Sequence, residues 1–66
     1  MNITKYKILT DIHVHAEPKK ESEALSLLKK DDIVESINEI NDWLLLKEGG
    51  YVCFGWGRYA VKIKEN

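Results

Sequence analysis

Apolar residues recur along the chain in short runs separated by polar or glycine-containing segments. In residues 12–15 the pattern alternates, with Ile12 and Val14 on one side and two histidines on the other. Period-two alternation with β-branched residues is typical of a strand. Comparable runs predict further strands at 6–9, 33–37, 43–47, 51–54 and 60–63.

Turn-forming residues lie between these runs. Pro18 ends the 12–15 strand, because proline has no backbone N–H for a sheet ladder. Asp31-Asp32, the Asn- and Asp-containing stretch 38–42 and Gly49-Gly50 each predict a tight turn. About five strands joined in this way predict a small all-β barrel or sandwich.

Residues 21–30 are ambiguous in isolation. Their composition favours a helix, with glutamates at the start and lysines at the end, as the helix dipole prefers. A helix of this length is marginal without packing.

The length and net charge of the chain exclude further classes of structure and partner. At 66 residues the chain is one domain, and its single cysteine excludes an internal disulfide. The formal net charge of −1 and the absence of a basic stripe argue against a nucleic-acid backbone as partner. The chain has no apolar run of transmembrane length and no signal-peptide pattern, so we expect no membrane contact. As written, the chain is expected in the cytoplasm. If it is excised from a larger secreted protein, it is expected outside the cell or in the cell wall.

The order of these motifs resembles the bacterial Src homology 3 domain family. Residues 12–18 stand where the family has a strand followed by a small residue, glycine and proline. Residues 28–31 match its leucine before Lys-Lys-Gly, and residues 34–36 match the Val-Glu-Val-like strand. Trp43 matches the tryptophan that opens the next strand, and residues 53–60 match the closing strand, 3-10 turn and tyrosine.

Four positions depart from the family pattern. Glu17 and Asp31 stand where glycine is usual, Phe54 replaces a tryptophan, and Trp56 lies two positions later. The resemblance implies one domain over 1–66, with a core at about 6–63. It implies a five- to six-stranded, mostly antiparallel barrel with a long loop and a short 3-10 turn. In this register residues 21–30 form a loop with at most one helical turn, leading into a short strand around 24–28.

The strand pattern also predicts a core drawn from several strands. If Leu44 and Leu46 point inward, Trp43 and Leu45 point outward, and a partner or a loop must cover them. The expected core residues are Leu9, Val14, Leu28, Val34, Leu44 and Leu46.

The aromatic residues are the best candidates for ligand binding, because aromatic side chains supply large, rigid contact areas. The alternative is that so small a domain uses them as core. We expect one partly exposed aromatic patch rimmed by acidic loop residues, which would favour a basic peptide. The resemblance adds His15 at the mouth of the groove. The candidate ligand-binding residues are Trp43, Tyr51, Phe54, Trp56, Tyr59, His15 and Glu17.

The sequence gives weaker support to a metal site or a catalytic site than to a ligand-binding site. His13 and His15 project from one strand face and Cys53 is a conceivable third ligand, but the set lacks a metal-site spacing signature. Cys53 lies in an apolar strand, where cysteine usually acts as a small hydrophobic residue. We therefore expect no metal, no cofactor and no enzyme activity.

These observations favour a binding module for a short extended peptide, acting as an adaptor or inhibitor, for example one encoded by a phage or other mobile element. Two alternatives stay open. The resemblance implies that such a domain can target peptidoglycan for a cell-wall hydrolase. Small barrels with exposed aromatic residues also stack nucleic-acid bases. The sequence leaves the oligomeric state open.

Overall fold

The computed structural model of the chain describes residues 2–64, and these residues form seven strands and one 3-10 turn. The all-β prediction is confirmed. The structure has one strand more than the five to six expected, because residues 24–28 pair with β2 in addition to the six strands that the apolar and alternating runs predict. The strands are β1 (Thr4–Ile8), β2 (Ile12–His15), β3 (Ala24–Leu28), β4 (Ile33–Ile40), β5 (Trp43–Leu46), β6 (Tyr51–Cys53) and β7 (Ala60–Lys62), and the 3-10 turn is Gly55–Gly57.

All strand pairs are antiparallel, and the strands form one sheet in the order β3-β2-β6-β5-β4-β1-β7. The sheet is strongly curled. Val14 on β2 and Ile8 on β1 belong to one hydrophobic cluster, although three strands separate β2 from β1 in the sheet order. Curling places the inner faces of distant strands against each other, and the outer faces are left for other contacts.

Most of the residues that were predicted for the core are buried or partly buried in the structure. Val14, Leu44 and Leu46 are buried, while Leu28 and Val34 are partly buried against the same cluster. The prediction for Leu9 is wrong, because this side chain is 37% exposed. Four further residues are buried in the same cluster: Tyr6 and Ile8 on β1, Val52 on β6 and Ala60 on β7.

Residues 21–30 contain no helix, and the strand expected around 24–28 is present. Pairing of β3 with β2 gives the backbone of this segment hydrogen bonds that outweigh its local helix propensity. Ser22 closes the loop before β3, since its hydroxyl donates to the carbonyl oxygens of Glu17 and Lys19.

The connection from β3 to β4 contains a residue with left-handed backbone. Asp31 has a φ of +77°, and its N–H donates to the Ile8 carbonyl oxygen at 2.7 Å. This is one of the positions where the resemblance leads one to expect glycine, the residue that adopts positive φ most easily.

Within residues 2–64, no helical segment has the length and the apolar character that crossing a membrane requires.

Candidate functional site

Strands β2, β6 and β5 share an outer face that carries the site. Val14, Val52 and Leu44 point into the core, so their neighbours along each strand point outward. The ladder places His15 opposite Tyr51, and Cys53 opposite Trp43. A cavity of about 260 Å³ opens on this side, and we call it the outer groove; it is lined by Asp11, Ile12, His13, His15, Lys20, Trp43, Cys53 and Tyr59.

Trp43 is an inner wall of the outer groove. Its side chain points away from the core, as the alternation predicts, but it is only 8% exposed. The His15 ring covers it edge-on, with centroids 5.6 Å apart and an interplanar angle of 85°. This arrangement removes apolar indole surface from water and holds the histidine at a fixed position beside it.

A hydrogen bond fixes the orientation of the His15 ring. Nδ1 lies 3.0 Å from the Ser22 carbonyl oxygen, which can only accept, so the hydrogen bond requires a proton on Nδ1. In the neutral ring, Nε2 then carries a lone pair that can accept an N–H from a ligand. The same contact ties the 16–23 loop to the edge of the outer groove.

Two charged residues line the outer groove, and their surroundings differ. The Asp11 carboxylate accepts the Lys30 backbone N–H at 2.8 Å and lies 3.6 Å from the Lys29 ammonium. The pKa of Asp11 is lowered, first by that backbone hydrogen bond and then by the Lys29 charge. Lys20 forms no ion pair within 4 Å to a carboxylate of residues 2–64. Of the two charged residues that line the outer groove, Lys20 is therefore the one without an ion pair among the described residues.

Cys53 contributes a protonated thiol to the outer groove. Burial raises the pKa of the thiol, and the negative charge of Asp42 raises it further. The Sγ atom lies 3.5 Å from Asp42 Oδ2 and donates to it. A thiol held in its protonated form beside a carboxylate is a weak nucleophile, so its contribution here is apolar contact area.

The candidate aromatic residues do not all lie in the outer groove. Trp43 and Tyr59 line the outer groove. Phe54 is a core residue, because it is buried and packs on Tyr6 with centroids 5.7 Å apart. Trp56 packs against Phe54 at 5.6 Å, and it is absent from the outer groove.

Trp56 has an unusual backbone for a bulky residue. Its φ of 58° and ψ of 34° lie in the left-handed region, and its side chain is 69% exposed. Left-handed backbone is costly for large side chains. Gly55 and Gly57 on either side also have positive φ. The turn therefore displays this indole to solvent.

The remaining candidates lie near the outer groove without lining it. Tyr51 is half-buried on the outer face beside His15, and Glu17 is exposed in the loop that follows β2. Glu17 is hydrogen-bonded through its backbone to Ser22. His13, His15 and Cys53 do line one cavity, but within residues 2–64 no group of three or more His, Cys, Asp and Glu side chains is arranged to hold a metal ion.

Sequence reasoning did not single out Asp11 and Lys20 for the outer groove. They lie nine positions apart, Asp11 before β2 and Lys20 in the loop after it. Only the return of that loop over the outer face brings them to one cavity. No local sequence pattern encodes that return of the loop.

Comparisons with known proteins add no further assignment. The chain matches no protein-family model, no curated protein and no solved structure. The relation to bacterial Src homology 3 domains therefore stays a resemblance.

Proposed function

We propose that this domain is a non-catalytic binding module whose outer groove receives a short extended peptide. The observation that carries the proposal is the combination of apolar walls and polar edges in one open groove. Trp43, Tyr59 and Cys53 supply apolar surface, while His15 and Lys20 supply a hydrogen-bond acceptor and a positive charge. The apolar side chains of a peptide can contact the apolar walls, and its backbone or carboxylate groups can contact His15 and Lys20.

The rigidity of the outer groove supports this function. Trp43 and Cys53 are on neighbouring strands, and a hydrogen bond fixes the His15 ring against Trp43. Side chains that are ordered before binding lose little conformational entropy when a ligand arrives. A short ligand can therefore bind even though it covers a small area.

The charged residues that line the outer groove suggest which charge the bound peptide carries. The Asp11 carboxylate is already satisfied by Lys29 and Lys30, whereas Lys20 forms no ion pair within residues 2–64. We therefore propose a ligand with an acidic side chain or a C-terminal carboxylate near Lys20. This differs from the basic peptide expected from the loop glutamates, because Glu17, Glu21 and Glu23 do not line the outer groove.

The proposal is tested by selecting binders from a display library of random linear peptides and titrating the best one into ¹⁵N-labelled protein. The two tryptophans give separate indole N–H signals, which Trp56→Ala assigns because this exposed side chain can be removed without opening the core. We expect the Trp43 signal to shift and the Trp56 signal to stay. Failure to select any peptide, or a shift of Trp56 alone, would contradict the assignment to the outer groove.

Lys20→Gln tests the role of the charge, and Lys19→Gln is its matched control. Both lysines are exposed in the same loop, but only Lys20 lines the outer groove. Lys20→Gln should weaken the selected peptide roughly 2- to 5-fold, as expected for an exposed ion pair, and Lys19→Gln should change the affinity less. Equal effects of the two variants would show that the charge acts only at long range.

Sedimentation of the protein with insoluble peptidoglycan, combined with no peptide binding, would favour the cell-wall alternative.

A further inference from the structure

We propose that His13 and His15 join Lys20 in recognising a ligand carboxylate, so that acidification strengthens the binding of an acidic peptide to the outer groove. This inference rests on the proposed peptide-binding function and specifies the chemistry of the same groove. The two histidines share the outer face of β2, and their ring centroids lie 6.5 Å apart. Both rings line the outer groove together with Lys20. Three side chains that can carry a positive charge therefore surround one opening.

The hydrogen bond of His15 is compatible with both protonation states of the ring. Nδ1 donates to the Ser22 carbonyl oxygen in the neutral ring, and it still donates when a second proton is added at Nε2. Protonation therefore changes Nε2 from an acceptor to a donor and leaves the ring in place against Trp43. A carboxylate can accept a hydrogen bond from Nε2 only when this second proton is present.

The two imidazoles lack a carboxylate partner of their own. Among residues 2–64, no Asp or Glu oxygen lies within 4.0 Å of a ring nitrogen of either histidine. Asp11 lines the outer groove but is already paired with Lys29, and Glu17 in the neighbouring loop does not line the groove. When both rings are protonated, they repel each other and Lys20. A ligand carboxylate supplies the missing counter-charge.

The other titratable groups around the two rings keep their charge between about pH 5.5 and about pH 7.5. The lowered pKa of Asp11 keeps its carboxylate ionised, and the raised pKa of Cys53 keeps its thiol protonated. Lysine side chains are charged and tyrosine side chains are neutral in this range, and these are the types that Lys20, Tyr51 and Tyr59 contribute. Histidine is the side chain that changes charge there. The sequence contains two histidines, and both line the outer groove.

Isothermal titration calorimetry with the display-selected peptide, at constant ionic strength, tests the inference. From about pH 7.5 to about pH 5.5 the affinity should rise roughly 2- to 25-fold, because each protonated histidine adds one partly exposed ion pair. The carboxylates of the peptide stay ionised over this range. The same peptide with its carboxylates converted to amides is the control and should show no rise.

Histidine variants identify the groups that cause the rise. His13→Gln should remove part of it, and His13→Gln combined with His15→Gln, which leaves the chain without histidine, should remove all of it. Circular dichroism confirms that each variant is folded. A selected peptide that binds the parent equally at both pH values, or a folded double variant that keeps the full rise, would overturn the inference and leave the peptide-binding function intact.

The free protein gives a second measurement that needs neither a selected peptide nor a variant. The imidazole Cε1–H signals are followed by NMR as the pH is changed, once in sodium acetate and once in sodium chloride of the same ionic strength. A carboxylate that binds the protonated rings raises the pH at which they titrate, because binding and protonation are linked. Both histidines should therefore titrate at higher pH in acetate. Equal midpoints in the two salts would contradict the inference even if no peptide is selected, so it fails separately from the proposed function.

Discussion

Asp31 shows how a single backbone angle links the sequence to the fold. A φ of +77° is easy for glycine and strained for a residue with a side chain, although aspartate tolerates it better than most. The resemblance places a glycine at this position, and the structure has the backbone that glycine favours. Asp31 therefore departs from the family pattern in residue type, but its backbone has the conformation that the family's glycine favours.

Asp31→Gly should therefore stabilise the domain by roughly 0.5–1 kcal/mol, since relief of strain exceeds the extra entropy of the unfolded chain. The salt bridge to Lys7, at 3.5 Å between exposed groups, is a smaller loss. Thermal and urea unfolding measure the change. Asp32→Gly is the control and should destabilise, because Asp32 Oδ2 accepts the Lys29 N–H at 2.9 Å. Destabilisation by both variants would show that the left-handed backbone carries no strain.

Residue identity was a poorer guide to the two tryptophans than to Asp31. The strand alternation gave the outward direction of Trp43 correctly, but it could not show that His15 covers the indole. Trp56 and Trp43 are close in sequence, yet the turn at Gly55–Gly57 directs Trp56 toward Phe54 and away from the outer groove. Exposure depends on which distant side chain or loop lies above a residue, and local pattern carries no such information.

At the level of elements, the hairpin between β5 and β6 depends on close packing as well as on turn geometry. Gly50 has a φ of +87°, and a Cβ built there would lie 2.5 Å from Val14 Cγ1. Val14 is buried and β-branched, so it has little freedom to move away. The hairpin thus approaches β2 closely because one residue has no side chain.

Gly50→Ala should cost about 1–3 kcal/mol more than Gly49→Ala, because both variants strain the backbone but only the first also meets Val14. Gly49 has a φ of +101°, and a Cβ added there would have no neighbouring atom within 4 Å. The free energy of unfolding of the two variants gives the comparison. Equal destabilisation would mean that Val14 moves freely and that turn conformation alone requires glycine.

The elements themselves were largely predictable. Six of the strands follow from alternating or apolar runs bounded by turn residues, and Gly49-Gly50 marks the hairpin between β5 and β6. Strand β3 did not follow from its own residues, since local propensity favours a helix there. Its strand conformation comes from pairing with β2, and only the register of the resemblance anticipated it.

For the whole molecule, stability rests on a small core. A domain of this length has a free energy of unfolding of roughly 3–10 kcal/mol. Leu44 is fully buried, so Leu44→Ala should cost about 2–5 kcal/mol and unfold a large fraction of the protein. Leu9→Ala removes the same atoms from an exposed position and should cost less than about 1 kcal/mol. Circular dichroism during urea titration distinguishes them, and equal effects would contradict the arrangement of the core.

The place of β1 in the sheet also sets the order in which the domain can assemble during synthesis. Strand β1 lies between β4 and β7, and it pairs with both. Among these seven strands β1 is synthesised first and β7 last, so the second edge of β1 is covered only after the other six strands have been made. Such long-range pairing is typical of slow folding, since loop-closure entropy is lost before the contacts form. During synthesis the backbone N–H and C=O groups on one edge of β1 accordingly stay without a strand partner until Lys62 has emerged.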